Sequence, residues 1–445
     1  MPGSGWWRVL AVAGLLCGAA VPARGGGFQL QDFDAKALGM ANAFAATADN
    51  PAAVYFNPAG LTQLDPGLHG SAASVMIVPD TEFRADAGHG RDTEMEADFV
   101  ALGAGFLALK LGENLAVGGG IFTPFGLGVK YPDSWGGRYI VTKASIVIAE
   151  GNLTVASKVP LGEGIELSLA AGGSLAGGEI QLKRHVDFRF LGADDGRADL
   201  RLRTNRSVRN VLAFPAMFLG GKVVPRWNLA GMLHLMDNRI RLGVSYRDGL
   251  HDVEARGRLK IARAPVITGL NGRFTAETET RLPGELRAGI AVEPFDGLTL
   301  ELDYRWVNWS VLRRLKATVD GPSGDVEIPL EYRDSHYVAV AADYKVTPAL
   351  SVRGGLLWDQ SPVPDRTFSP TVPDNHRIGF SLGVGYEITD GVTVDLAYLG
   401  LYIFPRDKDN DIGADAAPGG GGLPRANGRY RTWANLIGIT VGLKL

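Results

Sequence analysis

Beyond its first two dozen residues this sequence has no cysteine: the single one, Cys17, sits in the apolar run at the start. A body without cysteine has neither disulfides nor thiolate metal sites, which suits a protein folding outside the cytoplasm. It also lacks any later stretch of 18 continuous apolar residues, so if the chain crosses a membrane it must do so as a closed barrel. A strong charge of either sign is missing too. Lys plus Arg number 45 against 48 Asp plus Glu, a balance without the basic footprint of a nucleic-acid binder. The 7 histidines are scattered, with no pair at zinc spacing. No Ser- or Pro-rich linker divides the 445 residues, and 60 glycines are spread throughout, so one large architecture is a simpler account than several soluble domains.

Residues 1–23 read as a secretory leader: Arg8 in a short basic start, an apolar run from Val9 to Val21, and a small-residue exit at Val21-Pro22-Ala23. The run falls short of the roughly 20 residues a spanning helix needs. The mature chain is expected to begin near Arg24, and losing Arg8 leaves 44 basic residues against 48 acidic. Lipid attachment at Cys17 would want a small residue before it, where the chain has Leu16.

After Pro66 the dominant signal has period two. In "LTLELDYRW", Leu298, Leu300, Leu302, Tyr304 and Trp306 share one face, suited to lipid, and Thr299, Glu301, Asp303 and Arg305 share the other, suited to water. The final strand repeats this with Ile437, Ile439, Val441, Leu443 and Leu445 against Gly438, Thr440, Gly442 and Lys444. A soluble sandwich would alternate likewise, and the connectors decide. Tight ones occur at 112–114, 161–164, 237–238, 294–297, 347–348 and 390–391, alternating with longer polar stretches around 80–97, 130–138, 185–210, 260–279, 312–334, 359–376 and 404–429. Short turns on one side and long loops on the other mark an outer-membrane barrel. Six inner turns with both termini inside give 14 antiparallel strands, an even number as such barrels require. Trp135, Trp306, Trp309, Trp358 and Trp433 fall near strand ends, where aromatic girdles lie.

A barrel of that width has a lumen that is either wet or plugged. Residues 24–65 precede the first strand and carry Leu38, Met40, Phe44, Val54 and Phe56, enough apolar surface for short helices, with a reversal at Asn57-Pro58. They are read as a plug, and 66–445 as the barrel.

The stretch "GFQLQDF…ALGMANAFAATADNPAAVYFNPAGL", together with "TPFGLGVKYPDSWGGRY" and "SPVPDRTFSPTVPD", resembles the FadL-type outer-membrane transporters for long-chain fatty acids, a family that includes aromatic-hydrocarbon uptake proteins. The resemblance covers essentially the whole mature chain. It implies a barrel closed by an N-terminal hatch, ligand bound beneath the outer loops, and sideways release through a kink in the third strand. The matching kink is Pro124-Phe125-Gly126-Leu127-Gly128, and a proline with two glycines does weaken a ladder, though a plain rim bulge would look the same. By position Arg184 and Lys316 resemble the residues facing the fatty-acid carboxylate, and Phe28 the hatch aromatic beside the pocket. Their other readings are solvated loop charges meeting lipopolysaccharide, and simple hatch packing. Asn57, Pro58 and Ala59 match the family's hatch motif, either as a switch or as a fixed turn.

The resemblance implies passive outer-membrane transport of a long-chain fatty acid or a similar hydrophobic compound, with outer-membrane lipid and lipopolysaccharide as neighbours. A monomer suffices, and no cofactor, metal or nucleic acid is called for. Aromatic or alkane hydrocarbons are the alternative cargo. A lipid hydrolase is the competing class, because Gly379-Phe380-Ser381-Leu382-Gly383 spells a nucleophile elbow, but the period-two pattern keeps Ser381 inside a strand. Asp407, Asp409 and Asp411 open like a calcium loop without its glycine at position six.

Overall fold

The computed structural model describes residues 26–96, 100–188, 195–204, 224–249, 252–321, 325–412 and 426–445, and the segment read as a leader, 1–23, lies outside them. Fourteen antiparallel strands form the wall: β1 (Gly67–Ala85), β2 (Val100–Leu111), β3 (Leu115–Lys130), β4 (Lys143–Gly162), β5 (Ile165–Val186), β6 (Val224–Leu235), β7 (Ile240–Arg247), β8 (Glu285–Phe295), β9 (Leu298–Val307), β10 (Ser335–Lys345), β11 (Leu350–Asp359), β12 (Arg377–Thr389), β13 (Val392–Lys408) and β14 (Gly428–Lys444). The barrel closes where β14 runs against β1 in continuous register, from Lys444 opposite His69 to Gly428 opposite Ala85. The inner turns carry residues that accept positive φ, such as Gly112, Gly164, Gly297, Gly391 and the pair Asp237-Asn238. They hold the wall to the expected strand number.

On the other side the chain departs from the sequence reading. Parts of the stretches read as loops at 185–210, 260–279 and 312–334 are strands (Gly196–Arg203, Gly272–Arg281, Arg314–Asp320, Val326–Pro329) that, with Asp252–Ala262 running into the second stretch, extend the wall upward. Their alternation is as regular as that of the wall, with Leu200, Leu202, Leu259, Ile261, Ala276 and Val319 forming one apolar inner face. High charge on the opposite face had made them look like polar loops.

The face of β9 assigned to water is not wet. Glu301, Asp303 and Arg305 are buried, and two of them hold the plug. Asp303 Oδ2 accepts from the Phe44 and Ala45 amides, both at 2.8 Å, and Glu301 Oε1 from the Ala46 amide at 2.7 Å. Of the tryptophans, Trp358 and Trp433 do face outward, whereas Trp135 and Trp309 are 2% and 0% exposed inside the lumen.

The hatch is a compact plug within the barrel. Helix α1 (Ala35–Gly39), helix α2 (Ala53–Phe56) and a 3-10 turn (Pro58–Gln63) are joined by buried apolar residues. At Gly383 and Gly355 the wall comes so close that an added Cβ would lie 2.9 Å from Gly39 Cα and 2.8 Å from the Met40 carbonyl carbon. Only glycine lets the plug backbone touch the wall there. Ser381 Oγ donates to Gly39 O at 2.8 Å, so this serine is a mid-strand hatch contact.

Asp34 caps α1 by accepting from the Ala37 amide. Burial, reinforced by the nearby Asp395 carboxylate, pushes its carboxyl up from 3.8 to about 6. A carboxyl raised in the folded state favours that state while protonated, and the contribution disappears as pH rises through about 6. Hydrogen exchange of the α1 amides, corrected for intrinsic rates, is therefore expected to show more protection at pH 5 than at pH 7.5. In Asp34→Asn the difference should flatten.

Candidate functional site

The site begins where β3 leaves the wall. From Leu115 to Ile121 its residues alternate between lipid and lumen, but from Phe122 to Val129 every one is buried. The β2–β3 ladder accordingly ends at the Gly105–Ile121 pair, and the β3–β4 register shifts between Phe122 and Phe125. Pro124 supplies no amide, so β2 has no regular partner to follow past this point.

The start of the hatch occupies the vacated edge. The Leu30 amide donates to Pro124 O and the Gly126 amide to Phe28 O, each at 2.8 Å, making Gln29 and Phe125 cross-strand partners. Gly126 eases this approach, since a Cβ there would lie 2.6 Å from Leu30 Cδ1 and the leucine side chain would have to move aside. Polar contacts anchor the strap: Gly27 N donates to Asp374 Oδ2 at 3.0 Å, and Gln29 Nε2 to Glu285 Oε2 at 2.5 Å. Beneath it, Glu150 is buried between Arg226 and Arg247 at 2.7 and 2.6 Å, so that charge is fully compensated.

Above the strap lies a cavity of about 80 Å³ lined by apolar chains including Phe28, Leu127, Ile146, Leu182, Leu315 and Val372. Phe28 forms part of its wall and packs edge-on against Trp309 and Phe125, with ring centroids 4.7 and 6.0 Å away. On the lipid side of the ladder break is a larger depression of about 1040 Å³, floored by Gly105, Gly120 and Gly151 and edged by Ile121 and Leu153.

The two basic candidates separate. Arg184 is on the same face of β5 as Ile180 and Leu182, which line the cavity, one rung above the Leu182–Leu200 pair. It is partly buried and has no hydrogen-bond or ion-pair partner among the described residues. Lys316 does not line the cavity. Its neighbour Leu315 does, and alternation turns Lys316 outward, half-exposed, with Nζ 3.0 Å from Asp325 Oδ2. The resemblance placed it by position, and a one-residue difference of phase on a hairpin reverses its direction.

In the hatch motif, Asn57 Oδ1 accepts from the Ala59 amide at 3.1 Å and Nδ2 donates to Ala45 O at 2.7 Å, while Pro58 begins the 3-10 turn. Asn57 thereby joins two hatch loops. Asp407 is occupied by Arg429 at 2.8 Å, and no group of three or more potential metal ligands occurs among the described residues. Of the residues that fasten the strap and hatch, Asp374 and Glu285 escaped the sequence reading, and Glu301 and Asp303 were read only as part of a water-facing side. Only the apolar pattern around the two in β9 hinted that they face inward.

A family profile described as outer membrane protein transport protein (OMPP1/FadL/TodX) matches residues 16–442. The chain belongs to this family. Among its curated relatives, the 47 kDa outer membrane protein of Pasteurella multocida is 25% identical over 426 residues, covering 92% of this chain and 93% of the relative. The long-chain fatty acid transport protein of Escherichia coli K12 is 26% identical over 404 residues, covering 83% and 86%. In fold, the chain is similar to the crystal structure of a Pseudomonas aeruginosa FadL homologue (TM-score 0.75, 17% identity, 94% and 99% covered) and to that of the Ralstonia pickettii toluene transporter TbuX (TM-score 0.66, 17% identity, 94% and 99% covered). The protein is thus an outer-membrane barrel of a family that transports hydrophobic compounds.

Proposed function

We propose that this protein takes up long-chain fatty acids, binding them beneath the outer loops and releasing them sideways into the membrane. The observation that carries the reading is the departure of β3 from β2 after Ile121: a buried strap, Phe28–Leu30, lies across the vacated edge, with an apolar cavity above it and a lipid-side depression outside. Ligand entering the cavity displaces Phe28 and so disturbs the strap. With the strap moved, the ladder break offers a dry path through the wall, and an apolar tail need never meet water. Arg184, on the cavity face and without a carboxylate partner among the described residues, serves as the anchor for the acid group.

One observation favours aromatic hydrocarbons by the same route. The closed cavity, about 80 Å³, is small against the ~300 Å³ at which ordinary ligand pockets begin, and a fatty acid must open it further. Equilibrium binding of a long-chain fatty acid and of its uncharged hydrocarbon analogue to the purified barrel separates the two. Tight binding of the acid alone supports the fatty-acid reading, and equal binding of both moves the protein to hydrocarbons. Lys316→Ala should leave the dissociation constant of the acid within about twofold, because an exposed pair such as Lys316–Asp325 contributes little.

A further inference from the structure

The extended part of the wall carries charge in an arrangement that sheets ordinarily avoid. Where Gly196–Arg203, Asp252–Ala262 and Gly272–Arg281 pair, Arg203 stands opposite Arg256, Arg201 opposite Arg258, and Lys260 opposite Arg273. Like charges directly across a ladder repel. The lowest of these pairs is compensated, Arg203 by Glu179 at 2.5 Å and Arg256 by Glu277 at 3.2 Å. Higher up compensation fails. Asp199 is the one carboxylate among these rungs; it stands opposite Lys260, but its contacts go to Gln181, Arg201 and Lys183. Arg258, Lys260 and Arg273 are exposed and have no partner among the described residues. Elsewhere on the outer rim a like-charge pair is relieved by a neighbouring carboxylate: Arg429 stands opposite Arg84, but also opposite Asp407, which it meets at 2.8 Å.

The direction and height of the cluster identify what would neutralise it. The alternate residues of these strands, Leu200, Leu202, Leu259 and Ile261, pack inward, so the cations point away from the barrel. Arg203 pairs with Glu179, four residues beyond Leu175, the last apolar residue on the lipid side of β5. At about 3.3 Å per residue and a tilt near 40°, the patch starts roughly 10 Å above the apolar band and reaches roughly 20 Å at Lys260 and Arg273. In the outer membrane that layer holds the phosphorylated sugars of lipopolysaccharide. Guanidinium forks suit phosphate oxygens, and two arginines with a lysine between them can clamp one phosphorylated headgroup.

We propose that Arg258, Lys260 and Arg273, supported by Arg201, form a docking surface for the phosphorylated headgroup of lipopolysaccharide. It sits on the outside of the wall whose inner face, through Leu200 and Leu182, lines the ligand cavity.

The test is lipopolysaccharide binding to the detergent-purified full-length barrel, read by native mass spectrometry. Arg258→Gln/Lys260→Gln/Arg273→Gln is expected to bind about tenfold more weakly or worse, in line with lost charge-assisted bonds. Lys260→Gln alone, a milder change, should give about a twofold to threefold loss. Both keep heat-modifiable migration on gels, since all three side chains are exposed. Arg239→Gln/Lys345→Gln/Lys158→Gln, the same charge change on the periplasmic rim, should bind as the unaltered protein does. Dephosphorylated lipopolysaccharide should bind weakly to all. Equal loss in the two triple variants, or binding that survives dephosphorylation, overturns the proposal. Displacement by inorganic phosphate at equal concentration overturns the assignment to a lipid headgroup.

Discussion

A disulfide between Gln29→Cys and Phe125→Cys is expected to abolish uptake under oxidising conditions and to restore it on reduction. The two residues are cross-strand partners of the non-hydrogen-bonded kind, because the flanking bonds run from the Leu30 amide to Pro124 O and from the Gly126 amide to Phe28 O. Such pairs have Cα atoms about 4.5 Å apart, within the span a disulfide bridges. The only native cysteine is Cys17, so the new pair has no thiol beyond residue 17 to exchange with. Once formed, the bond holds the strap over the ladder break irrespective of ligand. Delivery of a radiolabelled fatty acid into cells bearing the double variant should drop by at least about tenfold when oxidised, a change equivalent to 1.4 kcal/mol or more. Each single variant should keep its uptake in either redox state. The single changes matter as controls because Gln29 also bonds Glu285 and Phe125 packs on Phe28. Undiminished uptake by the oxidised double variant would show that cargo does not leave where β3 parts from β2.

Arg184→Ala is expected to weaken fatty-acid binding by roughly 10- to 150-fold, the range for losing a hydrogen-bonded charge at about 1.5–3 kcal/mol. The argument rests on its surroundings. Arg184 follows Ile180 and Leu182 on the cavity face, and no carboxylate among the described residues neutralises it. A ligand carboxylate arriving there replaces no existing ion pair, so the full interaction contributes to affinity. The uncharged analogue should bind Arg184→Ala and the unaltered protein alike. Arg184→Lys should recover part of the loss, since it keeps the charge but not the planar fork. A fatty-acid affinity that Arg184→Ala leaves unchanged would remove the anchor and favour hydrocarbon cargo.

What could be read from the sequence depended on whether a residue's role is local. Turns such as Gly112, Asp237-Asn238 and Gly391 announce themselves, because positive φ restricts which residues can stand there. Counting them yields the strand number. The change in β3 was visible for the same reason, a proline and two glycines interrupting a strand. Charged hairpins were harder to see. In Gly196–Arg203 the apolar face is only Ala198, Leu200 and Leu202, and four charged residues alternate with them. Lys316 shows the limit of carrying a role over by position, since its direction is set by hairpin register and its ion pair with Asp325 is made across the turn.

The sequence by itself determined a cysteine-free outer-membrane barrel, its number of strands, the segment that precedes them and the place where the third strand is interrupted. Each follows from period, turn chemistry or composition, all short-range properties. Only the tertiary structure decided what the polar faces inside the barrel meet. Glu301 and Asp303 read as wetted residues, yet they hold amides of Phe44, Ala45 and Ala46 more than 250 positions earlier in the chain. It likewise decided that the Arg184 side chain has no partner among the described residues while Lys316 has one, and that cations on separate strands gather into one surface. Barrel closure and strand register bring such groups together, and neither leaves a trace in local sequence.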